Sequence, residues 1–327
     1  MFGKSKDESV SGGNKEGWER DLLNKVVTSS MTETRRTRRW GIFFKSLTFL
    51  YLFTLLALLL PDKISDTSST GGGEHTALIE INGVIAADAE ASADNIITGL
   101  RDAFNDEGTK GIILRINSPG GSPVQAGYVN DEINRLKGLH PDIPLYAVVV
   151  DICASGGYYI AVAADKIYAD KSSIVGSVGV LINSFGFVDT MERLGVERRL
   201  MTAGEHKAIL DPFSPTSDYD KQHVQGMLDQ LHQQFIKVVK DGRGERLAND
   251  DRLFSGLFWS GEESVKLGLI DGLASSSHVA REIIGVGNIV NFTPKKEPWE
   301  LFAEQLGAGA VKSFAAISGF SDSFQYR

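Results

Sequence analysis

Three apolar runs set the rhythm of the chain after residue 75. Thr76–Ile81, Gly111–Ile116 and Leu145–Val150 are rich in β-branched residues and bounded by turn formers, the pattern of buried strands. Between them the apolar positions change to helical spacing. Ile96, Ile97, Leu100, Ala103 and Phe104 share one face of Asn95–Phe104, and Val129, Ile133 and Leu136 share one face of Val124–Leu139. Short alternation of strand and helix predicts an α/β domain with a mostly parallel sheet. Small apolar residues at Tyr159–Ala164 predict a buried helix straight after the third run. Downstream, Lys166–Tyr168, Val178–Ile182 and Glu197–Met201 predict short strands, and Val188–Leu194 a short helix. Tyr219–Val239 predicts a long helix with Val224, Met227, Leu231, Phe235 and Val239 on its apolar stripe. Gly261–Gly272 and Val279–Ile284 close the body.

The ends of the chain follow other rules. Residues 1–40 form a polar tail closing in Arg35-Arg36-Thr37-Arg38-Arg39-Trp40. Residues 41–60 are apolar apart from Lys45, Ser46, Thr48 and Thr54. Twenty helical residues span about 30 Å, the hydrocarbon thickness of a bilayer, so 41–60 is predicted to be one transmembrane helix. The arginine cluster keeps the tail cytoplasmic and sends the body across the inner (cytoplasmic) membrane, to the periplasmic or extracytoplasmic face. Residues 61–75, with Ser-Ser-Thr-Gly-Gly-Gly, form a linker. The folded domain is assigned to 76–293, and 294–327 to a C-terminal tail whose Trp299, Leu301, Phe302 and Leu306 are roughly helix-spaced.

Charge narrows the function classes. Residues 1–40 hold nine Lys or Arg and six Asp or Glu, whereas everything after Leu60 holds 24 basic and 36 acidic residues. A body so acidic argues against a nucleic-acid partner. One cysteine, Cys153, excludes an intrachain disulfide and reads first as a small buried filler.

Four stretches carry candidate chemistry. Ala154-Ser155-Gly156-Gly157-Tyr158-Tyr159 sets a serine at a strand-to-helix turn, where free N–H groups favour a developing anion. Taken alone, Ser-Gly-Gly is also an ordinary turn. Asn117-Ser118-Pro119-Gly120-Gly121 ends the second strand with paired glycines whose N–H groups are placed to bind an oxyanion. Gly176-Ser177-Val178-Gly179 brings a hydroxyl into a Gly-rich turn, equally readable as a packing turn. Gly204-Glu205-His206-Lys207 offers two candidate bases on a loop from Thr202 to Ser217 holding Pro212 and Pro215. A serine hydroxyl needs a base to become a nucleophile, and a lysine serves only when neutral, several units below its usual value of about 10.4.

In this order and spacing the four stretches resemble the signal peptide peptidase A (SppA) family of membrane-bound serine peptidases, in its short bacterial form. The resemblance covers about Thr76 to Gly272. It implies the Clp protease/crotonase-like fold and a Ser–Lys dyad with Ser155 as nucleophile and Lys207 as general base. It further implies an oxyanion hole from the N–H groups of Gly121 and Gly156, and Ser177 holding the lysine amine. Ala208 stands where members often carry Asp. The implied reaction is endoproteolysis of cleaved signal peptides and other unfolded segments near the membrane, in a homo-oligomer, with no cofactor and no metal. Two alternatives remain at this point: a membrane serine protease that cuts one partner protein, and a crotonase-like acyl-CoA enzyme, which has the paired N–H groups but no serine–lysine pair.

Overall fold

The computed structural model describes residue 25 and residues 38–54 and 73–294. Residues 38–54 are helical and hold the first part of the 41–60 run; residues 55–60, most of the linker and the tail from Lys295 lie outside the described residues. Among the described residues no helix is long and apolar enough to cross a membrane. The body is a separate unit from this helix.

The body is a mixed α/β fold on one eight-stranded, mostly parallel sheet. Strand β1 (His75–Asn82), helix α1 (Ala93–Asn105), β2 (Thr109–Ser118), α2 (Pro123–Leu139) and β3 (Leu145–Ala154) realise the predicted alternation. Ile112, Ile113 and Leu114 are all fully buried, as expected of strands covered on both faces of a parallel sheet. Ser92 caps α1, and Ser122 caps α2 with Pro123 at its first turn, where a missing N–H costs nothing. The main core lies on the face of α1 and α2, with Ile96, Leu100, Val129 and Ile133 against Ile79, Ile116 and Val149. Each such side chain contributes roughly 1.5–3 kcal/mol on burial.

Beyond β3 come α3 (Gly156–Ala161), β4 (Lys166–Ala169), β5 (Ile174–Gly176), α4 (Val188–Arg193) and α5 (Asp218–Arg243). Then follow β6 (Phe258–Ser260), α6 (Gly261–Lys266), β7 (Gly272–Leu273), a π-helix Val279–Ile284, and β8 (Ile289–Asn291), which pairs with β1. Strand β3 forks. Its first half pairs with β4 (Val148↔Tyr168) and its end with β5 (Ala154↔Gly176). That fork brings the Gly-rich turn after β5 beside the residue that ends β3.

Two predicted strands are corrected. Val178–Ile182 and Glu197–Met201 belong to no sheet. The last bond that pairs the first of them to the body is Gly256 N–H to Val178 O, 3.1 Å. After it no neighbouring strand runs alongside, and an apolar run without a partner does not become a strand. The long helix begins one residue earlier and ends four later than its periodicity suggests. Ser217 and Asp220 form a capping box at its start, and Arg243 is buried near its end in an ion pair with Asp271, 2.7 Å.

Candidate active site

Ser155 stands at the sharp junction between β3 and α3, with φ 51° and ψ −121°. Among the described residues three non-glycine residues have positive φ: Ser155, Ser177 and Leu210. Such conformations persist only where surrounding bonds hold them. Two bonds do so here: the Ser155 N–H donates to Gly176 O and its carbonyl accepts from Tyr159 N–H, both 2.9 Å. Gly156 opens α3, where a backbone N–H has no acceptor one turn back.

The loop after β2 closes onto this junction because glycine leaves room. A Cβ on Gly120 would fall 2.7 Å from Gly156 N and 2.8 Å from the Ser155 Cβ. One on Gly121, at φ +153°, would fall 2.1 Å from Ile85 O. Ile85 clamps the loop, donating its N–H to Gly120 O (2.9 Å) and accepting from Ser122 N–H (2.8 Å). These bonds leave out the Gly121 N–H, and the Gly121 nitrogen lies 3.3 Å from where a Gly156 Cβ would sit. The two N–H groups therefore adjoin the serine, as an oxyanion site requires. Gly121→Ala keeps the N–H, but its Cβ has no room beside Ile85 O and shifts the donor; it is expected to lower kcat by about 10²–10³-fold, as the loss of an oxyanion donor does. The check is steady-state kinetics beside a thermal melt, and an unchanged kcat in a folded variant would remove Gly121 from the hole.

Ser155, Gly121, Gly156 and Ser177 open onto one cleft of about 590 Å³. Tyr159, Val180, Leu181, Leu231 and Phe235 give it apolar walls. A larger hollow of about 910 Å³, lined by Arg115, Val150, Lys171 and Leu273 among others, touches none of the motif residues.

The structure does not bring Lys207 to this cleft. Its side chain is exposed and makes no hydrogen bond or ion pair among the described residues. Its neighbour His206 is turned to the start of α5, with Nδ1 3.2 Å from Asp220 Oδ1 and its ring stacked on Tyr219 at 4.4 Å. The Ser217 hydroxyl, then the His206 ring, help hold the Asp220 carboxyl below its usual range. Cys153 is fully buried, and burial alone pushes its thiol up, so it is not a thiolate nucleophile. Among the described residues no cluster of His, Cys, Asp or Glu is arranged to hold a metal ion.

Sequence reasoning missed three contributors. Ile85 clamps the oxyanion loop through its backbone, which leaves no mark in a sequence. Leu231 reads as part of the apolar stripe, yet it walls the cleft beside the core residue Phe235. His232, between them, also lines it, with Nε2 3.2 Å from Val178 O. A polar residue set into an apolar stripe was the only available sign.

With this geometry in place, residues 138–284 match the family model described as Peptidase family S49. The chain is 44% identical over 186 residues to a Na(+)/H(+) antiporter NhaA of Brucella melitensis, a match covering 57% of this chain and 25% of that protein. It is 29% identical to a putative signal peptide peptidase SppA of Enterococcus faecium, covering 66% of this chain and 65% of that one. It is 30% identical to the putative protease MJ0651 of Methanocaldococcus jannaschii, over 59% and 61% of the two chains. The chain thus spans a quarter to somewhat under two thirds of these relatives' lengths.

Proposed function

The chain belongs to the SppA family of serine peptidases, and from that premise we propose that it is a membrane-anchored endopeptidase cutting unfolded, apolar segments near the bilayer. The observation that carries the reading is Ser155, held at a strained strand-to-helix junction beside the N–H groups of Gly121 and Gly156, over an apolar-walled cleft. An extended apolar peptide suits such a cleft, which supports cleaved signal peptides as substrates. We read the body as Clp protease/crotonase-like, which its strand–helix repeats and forked third strand support.

In this mechanism the Ser155 Oγ attacks the scissile carbonyl while Lys207 takes its proton. The oxyanion that forms accepts from Gly121 and Gly156 N–H. The intermediate expels the amine, which takes the proton from Lys207, and leaves an acyl-serine. Water, deprotonated by the same lysine, then releases the acid and restores the serine. Ser177 holds the amine in line.

The lysine comes from a second copy of the chain. Two observations support this: Lys207 lies outside the cleft of its own chain, and the segment carrying it exposes much apolar surface, with Leu181 at 80%, Phe185 at 72%, Leu194 at 73% and Met201 at 94%. Patches of that kind mark interfaces. The apolar run 41–60 behind an arginine cluster supports a single-pass anchor in the cytoplasmic membrane with the body outside.

The test is cleavage of unfolded casein by the full chain in detergent. The parent should cut and Ser155→Ala should not; equal cleavage by both would end the reading.

A further inference from the structure

Ser177 is held by a set of bonds that converge on its neighbours. Gly176 O accepts from Ser155 N–H at 2.9 Å, and Ser177 N–H donates to Leu257 O at 2.7 Å. Val178 O accepts twice, from Gly256 N–H at 3.1 Å and from the His232 ring at 3.2 Å. All of these donors and acceptors are backbone groups except one. A carbonyl can only accept, so His232 Nε2 carries the proton in this bond.

Ser177 has φ 56°, a left-handed conformation that a residue with a Cβ adopts at a cost and keeps only when over-determined by its surroundings. Ahead of it, Gly176 takes φ +117°, where a Cβ would lie 2.9 Å from the Trp259 ring. The turn is thus two successive residues in unusual conformations, and Val178, fully buried, is one of the points where it is fastened to the body. Helix α5 bonds that carbonyl through the His232 ring. The same helix walls the cleft with Leu231 and Phe235 on either side of it.

We propose that His232 is a positioning residue: by donating to the Val178 carbonyl it keeps Ser177 in its left-handed conformation, its hydroxyl directed to the lysine amine beside Ser155. The inference rests on the peptidase reading above. His232 touches neither the nucleophile nor the base, and acts through Ser177. Losing the bond removes one of the two donors on Val178 O, so the turn is held less firmly and the hydroxyl spends less time in line.

The experiment is a double-mutant cycle in the full chain, read as kcat and KM on unfolded casein and referred to folded protein by circular dichroism. His232→Leu keeps the bulk and loses the donor. It should lower kcat roughly tenfold, the worth of one hydrogen bond of about 1.4 kcal/mol, with KM within about twofold. His232→Gln places an amide N–H near the Nε2 position and should keep most of the activity. On a Ser177→Ala background, His232→Leu should cost nothing further, because the group it positions is already gone. His232→Asn, whose shorter amide falls short of Val178 O, replaces the leucine variant if that one does not fold. Glutamine as damaging as leucine, the same tenfold loss on the Ser177→Ala background, or a change in KM alone would each overturn the proposal. Failure of the peptidase reading shows separately: Ser155→Ala would then cut casein as well as the parent, whatever His232 does.

Discussion

Lys207→Ala is expected to lower the rate of peptide-bond cleavage roughly 10³-fold or more, as removal of the general base does in serine hydrolases. The loss should fall on kcat, because in the proposed mechanism Lys207 moves a proton in the transition state and is not needed to seat the peptide. Lys207→Arg should be as inactive as alanine, since a guanidinium stays charged and cannot accept the proton. His206→Ala should cost little. Its ring is engaged with Asp220 and Tyr219, and its loss frees one end of a loop without touching the reacting atoms. Cys153→Ala should likewise leave chemistry intact and cost only the stability of a small buried side chain. Steady-state kinetics on the four variants decides the matter. Equal losses from His206→Ala and Lys207→Ala would take the base assignment away from the lysine.

The second large effect is a recovery. Ser155→Ala and Lys207→Ala proteins should each be inactive alone, yet assemblies formed from a mixture of the two should cut substrate. In a head-to-tail arrangement each junction pairs the serine of one copy with the lysine of the next. An equal random mixture then restores up to about a quarter of the junctions, because only one ordering of the two mutants brings both intact groups together. The expectation comes from where the single chain leaves Lys207: exposed, outside the cleft, on a loop of positions Thr202–Ser217 that is long for a compact domain. Co-expressing differently tagged copies and assaying the doubly tagged assembly measures it. If every mixture stays inactive while the parent assembly works, each chain completes its own site and the shared arrangement is wrong.

The parts of the candidate site that the sequence made legible are those built locally. Ser155 followed by two glycines, and Pro119 followed by two more, are backbone requirements written in residue type: an exposed turn, free N–H groups and close approach of two loops. The strands β1 to β3 were legible for a related reason, since burial on both faces demands an unbroken apolar run. Val178–Ile182 carried much the same local mark, and Glu197–Met201 only its apolar end at Leu200 and Met201; neither forms a strand, because pairing needs a neighbour that the sequence does not announce. Leu231 shows the opposite failure. An apolar stripe at helical spacing says that a face is covered, and it does not distinguish a core from the wall of a cleft.

What the sequence determined by itself was therefore the alternation of strand and helix, the apolar run at 41–60 and the two glycine pairs. Each depends on a residue's own conformational freedom or on its transfer out of water. The tertiary structure decided which of these meet. The fork of β3 sets Gly176 against Ala154 and so brings Ser177 to Ser155. Ile85 closes the Gly120-Gly121 loop from about 35 positions away. Helix α5 delivers His232 to Val178 across 54 positions. The single chain, as folded, leaves Lys207 outside the cleft. Contacts of such sequence separation follow from sheet register and helix packing, which are properties of the whole fold and not of any one stretch of chain.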